Sequence, residues 1–154
     1  MGKKIAILTA GGDCPGLNAA IRGVGKTAIV NHGMIVIGFT AGFSGLIRKE
    51  YVELDEPKLS GILTLGGTIL GTSREKPFKL EKGEVFNDKP GLIKKNYEDL
   101  GLDCVVCIGG NGTMKTRSSL RWITMLRVRY ISHLLPISSQ RNSQRRISTK
   151  NTFL

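Results

Sequence analysis

Two strand-sized apolar runs, Lys4–Thr9 (KIAILT) and Asp103–Ile108 (DCVVCI), each lead into a pair of glycines, Gly11–Gly12 and Gly109–Gly110. Apolar runs this short, without polar alternation, read as strands buried on both faces, and such strands belong to parallel sheets covered by helices. Met34–Thr40 (MIVIGFT) is a third run of the same kind. Between the first and third, Leu17, Ala20, Ile21, Val24, Ala28 and Ile29 follow helical spacing, so a helix is predicted from about Pro15 to Asn31. Asp13 is the expected N-cap, Pro15 falls in the first turn, and Gly33 is the C-terminal stop. Lys89–Leu100 reads as a second helix stopped by Gly101, and Pro57–Leu63 as a shorter one. Tyr51–Leu54 is a candidate edge strand, whereas Ala41–Gly45 and Gly66–Arg74 read as loops. Asn111 is placed to cap a helix starting at Thr113. Strands alternating with helices predict an α/β fold with a parallel sheet, in which ligands bind beyond the carboxyl ends of the strands. Both glycine pairs lie at that end.

A bare backbone opening a helix offers N–H groups and a favourable dipole to a phosphate. GGDCPG (Gly11–Gly16) and GGNGT (Gly109–Thr113) both have that placement, and each also makes a serviceable strand-to-helix turn. Two such loops on neighbouring strands would converge on one cleft, which favours the phosphate reading. Arg74, in the glycine-rich GTSR segment, is a planar cation suited to clamping a phosphate, with Lys76 and Lys79 close by in sequence. Gly25–Lys26–Thr27 looks like the end of a P-loop, but Ala20 stands where that motif needs glycine and the segment lies inside a helix. Cys104 and Cys107 form C-x-x-C on a strand, where residues three apart face opposite sides, so they read as core residues and not as a metal or redox pair. His32 and His133 are isolated, with no metal-ligand spacing.

The net charge of +11 suggests a nucleic-acid partner until it is divided along the chain. Residues 1–116 hold all 12 acids, all 20 glycines and 15 of the 23 Lys and Arg residues. Residues 117–154 hold the remaining 8 cations and no acid or glycine. One chain thus carries two compositions, which divides it at Thr116. The first part is an ordinary globular sequence. The second is a basic segment whose general reading is a solvated, disordered run. Leu120–Leu135 has the length of a helix but no clean polar face, so no folded element is predicted there. No apolar stretch approaches the ~20 residues of a membrane helix, and the start of the chain lacks a secretory pattern. Three cysteines are too few for a disulfide scaffold, so a cytoplasmic setting is expected.

IAILTAGGDCPGLNAAIRGV, GGTILGTSR and VVCIGGNGT, in this order and spacing, closely resemble the N-terminal part of 6-phosphofructokinase. The resemblance covers Met1 to about Thr116. It implies an incomplete Rossmann-like donor-binding domain and an enzyme transferring a phosphoryl group to the 1-hydroxyl of fructose 6-phosphate. It also implies ATP with Mg²⁺ as donor (pyrophosphate in some members), a glycolytic role in the cytoplasm, and a homo-oligomer. By position, Gly11 and Gly12 fall on the family's first phosphate loop, and Gly110, Asn111, Gly112 and Thr113 on its second. Arg74 falls where the family places a donor-contacting arginine, and Lys79 where some members carry another basic residue. Gly112 suits ATP, because pyrophosphate-dependent members carry an aspartate there.

Two departures accompany the likeness. Asn111 stands where many members hold Mg²⁺ with an aspartate, and an amide is a weaker partner for a hard cation. The family's T-I-D-N-D segment, with the aspartate that activates the sugar hydroxyl, does not follow: after Asp103 the chain has no Asp or Glu. No catalytic residue is therefore assigned, and this polypeptide is expected to lack kinase turnover. A reading-frame shift near Thr116 is the simplest source of the tail. The other readings are a non-catalytic nucleotide-binding module, a pyrophosphate-dependent parent, and a nucleic-acid binder acting through the tail. An interrupted sheet also predicts an open edge and poor solubility.

Overall fold

The computed structural model describes residues 2–79, 88–116 and 127–132. A five-stranded sheet has the order β3-β2-β1-β4-β5, formed by β1 (Lys4–Ala10), β2 (Ile35–Phe39), β3 (Tyr51–Glu53), β4 (Cys104–Gly109) and β5 (Val128–Ser132). β1, β2, β4 and β5 are parallel, and the edge strand β3 runs antiparallel to β2. The sheet is parallel, as expected, except at the edge strand β3. The reason is local: the chain leaves β2, makes the short helix α2 (Phe43–Arg48) and returns beside the same strand.

Both faces of the sheet are covered, as the uninterrupted apolar strands require. Along β1, Ala6, Leu8 and Ala10 face one core, while Ile7 faces the other. The first core is closed by Phe43, Leu46 and Ile47 of α2 and by Ile93 of α4 (Lys89–Asp99). The second is closed by Leu17 and Ile21 of α1 (Leu17–Lys26) and by Leu59 of α3 (Glu56–Leu59). A π-helical turn, Thr27–Asn31, extends α1, and a 3₁₀ turn, Ile62–Thr64, follows α3. Cys107 joins the first core and Cys104 packs on the second, the opposite facing that their spacing predicts.

Four local expectations change, the first at Asn111, which lies in a helix that begins at 111 instead of capping one from Thr113. Asp13 does not cap α1: Gly16, in the left-handed region at φ 93°, precedes the helix, and no side chain caps it. The predicted Ala41–Gly45 loop runs into α2, because Phe43, Leu46 and Ile47 bury one face at helical spacing. Asn96 of α4 then donates to the Leu46 and Ile47 carbonyls at 2.9 and 2.8 Å, satisfying the end of that helix. Finally, the tail is not without structure: β5 pairs in parallel register with β4, with Val128 buried in one core and Ile131 packed on the other.

Candidate functional site

The order of strands sets the site. From β1 the chain first builds outward to β2, then crosses back to place β4 on the other side of β1. The carboxyl ends of β1 and β4 therefore flank a topological switch point, where a doubly wound sheet opens a crevice. Both glycine loops leave from it. The register pairs Ala10 with Gly109, so the loops start level with one another.

A hydroxyl ties them together. Thr113 is buried and its Oγ1 donates to the Ala10 carbonyl at 3.1 Å. This close approach explains Gly109, because a methyl group there would lie 2.5 Å from the Ala10 carbonyl oxygen and against the Thr113 side chain. Gly11 is glycine for a different reason, a φ of 98°. Gly12 and Gly112 have neither reason. Both are exposed, neither has positive φ, and a methyl at either would touch nothing within 4 Å. The helix after β4 (residues 111–116) makes its first internal bond from the Met114 N–H to the Gly110 carbonyl at 3.1 Å. The N–H groups of Asn111, Gly112 and Thr113 precede that bond and have no intrahelical acceptor to find.

The third wall is the segment 65–76. Thr9, fully buried at the end of β1, donates to the Gly71 carbonyl at 2.7 Å, and its hydroxyl lies 3.1 Å from that of Thr68. Asn18 of α1 binds the same wall twice, donating to the Leu65 carbonyl at 3.1 Å and accepting from the Ile69 N–H at 2.8 Å. The Gly11 N–H reaches the Ser73 carbonyl at 3.5 Å, which brings Arg74 beside the first loop. Arg74 is exposed and makes no ion pair or hydrogen bond with the described residues. Lys79 is exposed on a turn closed by its N–H to the Lys76 carbonyl, and no described contact ties it to the crevice.

The structure thus brings Gly11, Gly12, Gly110, Asn111, Gly112, Thr113 and the Arg74 backbone to one crevice; no contact among the described residues joins Lys79 to it. Thr9, Asn18 and Thr68 are the supports that sequence reasoning missed. Two of them had a signal: Thr9 is the polar end of an apolar strand, and Asn18 sits inside the apolar stripe of α1.

Asp13 stands against Gly67 of the third wall. Cys14 beside it has a thiol pKa above the ordinary range, raised first by partial burial and second by the Asp13 carboxylate. It is a poor nucleophile at neutral pH. The crevice suits an anion: bare N–H groups, room at Gly12 and Gly112, and the exposed Arg74 on its third wall. It does not suit a resident magnesium. The second loop offers one amide, Asn111, and no carboxylate, and among the described residues no group of three or more His, Cys, Asp or Glu could hold a metal ion. No helix among the described residues is long and apolar enough to cross a membrane.

The profile of the family described as Phosphofructokinase matches residues 4–133. Among curated proteins, the chain is 62% identical over 115 residues to an ATP-dependent 6-phosphofructokinase 3 of Bacteroides thetaiotaomicron, covering 73% of this chain and 34% of that protein. It is 55% identical over 121 residues to an ATP-dependent 6-phosphofructokinase of Propionibacterium freudenreichii, covering 78% of this chain and 32% of that one. The chain spans about a third of the length of the curated relatives it matches. Among solved structures, a phosphofructokinase from Saccharomyces cerevisiae superimposes with a TM-score of 0.74 at 27% identity, over 84% of this chain and 20% of that chain. A pyrophosphate-dependent phosphofructokinase from Marinobacter aquaeolei reaches a TM-score of 0.67 at 15% identity, over 84% of this chain and 32% of that one, a likeness of fold alone.

Proposed function

The chain belongs to the phosphofructokinase family, and from that premise we propose that it carries the phosphoryl-donor side of an ATP-dependent 6-phosphofructokinase site. The observation that carries this reading is the pair Gly12 and Gly112. They are bare, exposed and facing open space on two loops of one switch point, and the fold itself requires glycine at neither. On these two facing loops the bare backbone leaves room for a ligand to approach closely. N–H groups of both loops hold the donor's phosphate oxygens, and Arg74 balances their charge. The hydroxyls of Thr113 and Thr9 hold the loops and the Arg74 wall in place, while the Thr113 N–H faces the donor with the other loop N–H groups. ATP is favoured by Gly112 and by the names of the most similar curated relatives. The acceptor in the whole enzyme is fructose 6-phosphate, and the whole enzyme is a cytoplasmic homo-oligomer of glycolysis. Magnesium would arrive on the nucleotide, since the loops carry no carboxylate set for it.

This polypeptide alone binds the donor without transferring its phosphoryl group. Transfer needs a carboxylate to orient or deprotonate the attacking hydroxyl, and the chain has no acid after Asp103. Titration of the 154-residue chain with ATP is expected to saturate, and Arg74→Ala to weaken binding about tenfold. With fructose 6-phosphate and Mg²⁺ present, no bisphosphate forms. Absence of saturable ATP binding overturns the donor-site reading; measured turnover overturns the claim of inactivity.

We also propose that the compositional division at Thr116 marks a change of reading frame. Its support is the loss of acids after Asp103 and of glycine after Gly112, beside curated matches of 111 to 121 residues; the family profile itself runs on to residue 133. Resequencing the coding DNA through the Thr116 codon is expected to recover an acid-bearing T-I-D-N-D segment in a shifted frame. An unshifted frame there refutes it.

A further inference from the structure

Glu75 follows the exposed arginine of the crevice and does not pair with it. Its carboxylate is instead taken by two cations from the helices behind: Lys89 of α4 at 3.5 Å and Arg48 of α2 at 3.9 Å. The Glu75 and Lys89 side chains are each only 13% exposed. An ion pair so shielded from solvent is held more firmly than a surface pair. On the other side of Arg74, the Ser73 carbonyl receives the Gly11 N–H. Arg74 is therefore bracketed by two anchored neighbours, one tied to the first glycine loop and one to the α2–α4 layer. Beyond Glu75, Pro77 is buried and Phe78 packs on the core, which turns the chain away from the crevice.

We propose that Glu75 is a positioning residue for the donor: by engaging Lys89 and Arg48 it fixes the backbone of Arg74 and stays unavailable to neutralise the Arg74 guanidinium. This rests on the donor-site reading of Arg74. The two cations keep the adjacent carboxylate occupied, so the guanidinium meets phosphate without Glu75 as a competitor and in place. Simple charge reasoning gives the opposite sign. Removing a carboxylate next to a phosphate site strengthens anion binding, whereas removing the anchor of Arg74 weakens it.

The test is ATP binding by the full chain in a double-mutant cycle. Glu75→Gln is expected to weaken ATP about three- to tenfold in the presence of Arg74 and to have no effect once Arg74→Ala is introduced. Its effect on thermal stability is the same in both backgrounds, which separates positioning from general destabilisation. Glu75→Asp keeps the charge but shortens the reach to Lys89 and Arg48. It is expected to weaken ATP in the same Arg74-dependent way, and it stands as the readout if the glutamine variant fails to fold. Tighter or unchanged ATP binding in the glutamine variant, or in the aspartate variant where it is the readout, overturns the proposal. So does a loss that persists without Arg74. If Arg74→Ala alone leaves ATP affinity unchanged, the donor reading of Arg74 falls, and the role of Glu75 falls with it.

Discussion

After β1 the chain takes six residues, Gly11 to Gly16, to reach α1, whereas after β4 a helix begins at 111, one residue past Gly110. The first turn passes through left-handed glycines at both ends, has no side-chain cap, and carries an acid and a thiol. The second has no acid and is drawn tight by Thr113 reaching back to Ala10. The same dipeptide on neighbouring strands has become a wide loop and a closed cradle. Glycine is also used for three separate purposes: dihedral freedom at Gly11, missing space at Gly109, and open surface at Gly12 and Gly112. Only the last leaves the backbone bare without serving the fold, so it is the one that speaks of a ligand.

The largest expected effect separates those purposes. A side chain at Gly109 must displace the Ala10 carbonyl or Thr113 from the switch point. Gly109→Val is expected to cost about 2–4 kcal/mol in denaturant unfolding, enough to unfold a marginal domain. Gly12→Ala places its methyl in open space and is expected to change stability by less than about 0.5 kcal/mol. Its ATP affinity is nevertheless expected to fall about tenfold, because the methyl occupies the approach to the backbone. A destabilised Gly12→Ala, or one binding ATP normally, would break the distinction between structural and ligand-facing glycines.

That distinction was not legible from sequence, although the loops were. Strand-sized apolar runs located β1, β2 and β4, and helical spacing located α1 and α4, because these signals come from burial against a sheet covered on both faces. The positions of the crevice followed from strand ends alone. What escaped depended on contacts distant in sequence. Asn18 and Thr9 hold the segment 65–71 from 47 to 62 residues away, and only the folded chain shows what their polar atoms bind. Asp13 was expected as a cap by its place before Pro15, but Gly16 entered α1 in a left-handed conformation and left Asp13 against Gly67. β5 was hidden by composition: Arg127 and Arg129 made Val128–Ser132 look solvated, yet a strand at the side of a sheet needs only Val128 and Ile131 to bury. α2 had its signal in the spacing of Phe43, Leu46 and Ile47, overruled by the surrounding glycines.

The smallest effect probes the wide loop by its thiol. Partial burial and, secondarily, Asp13 raise the Cys14 pKa above the ordinary range, so the thiolate is scarce at neutral pH and grows only as pH rises through that elevated value. Alkylation follows the thiolate. The rate of iodoacetamide labelling at Cys14, read by peptide mapping to separate it from Cys104 and Cys107, is expected to reach half its plateau at higher pH in the folded chain than in urea. Asp13→Asn moves that midpoint down but not back to the unfolded value, because desolvation is the larger cause. Bound ATP brings further negative charge to the neighbouring Gly11–Gly12 backbone, so at pH 8 it slows the labelling again. A nucleotide that saturates the chain yet leaves the Cys14 rate untouched would place the phosphates on the tight loop alone, and the two glycine loops would no longer share one ligand.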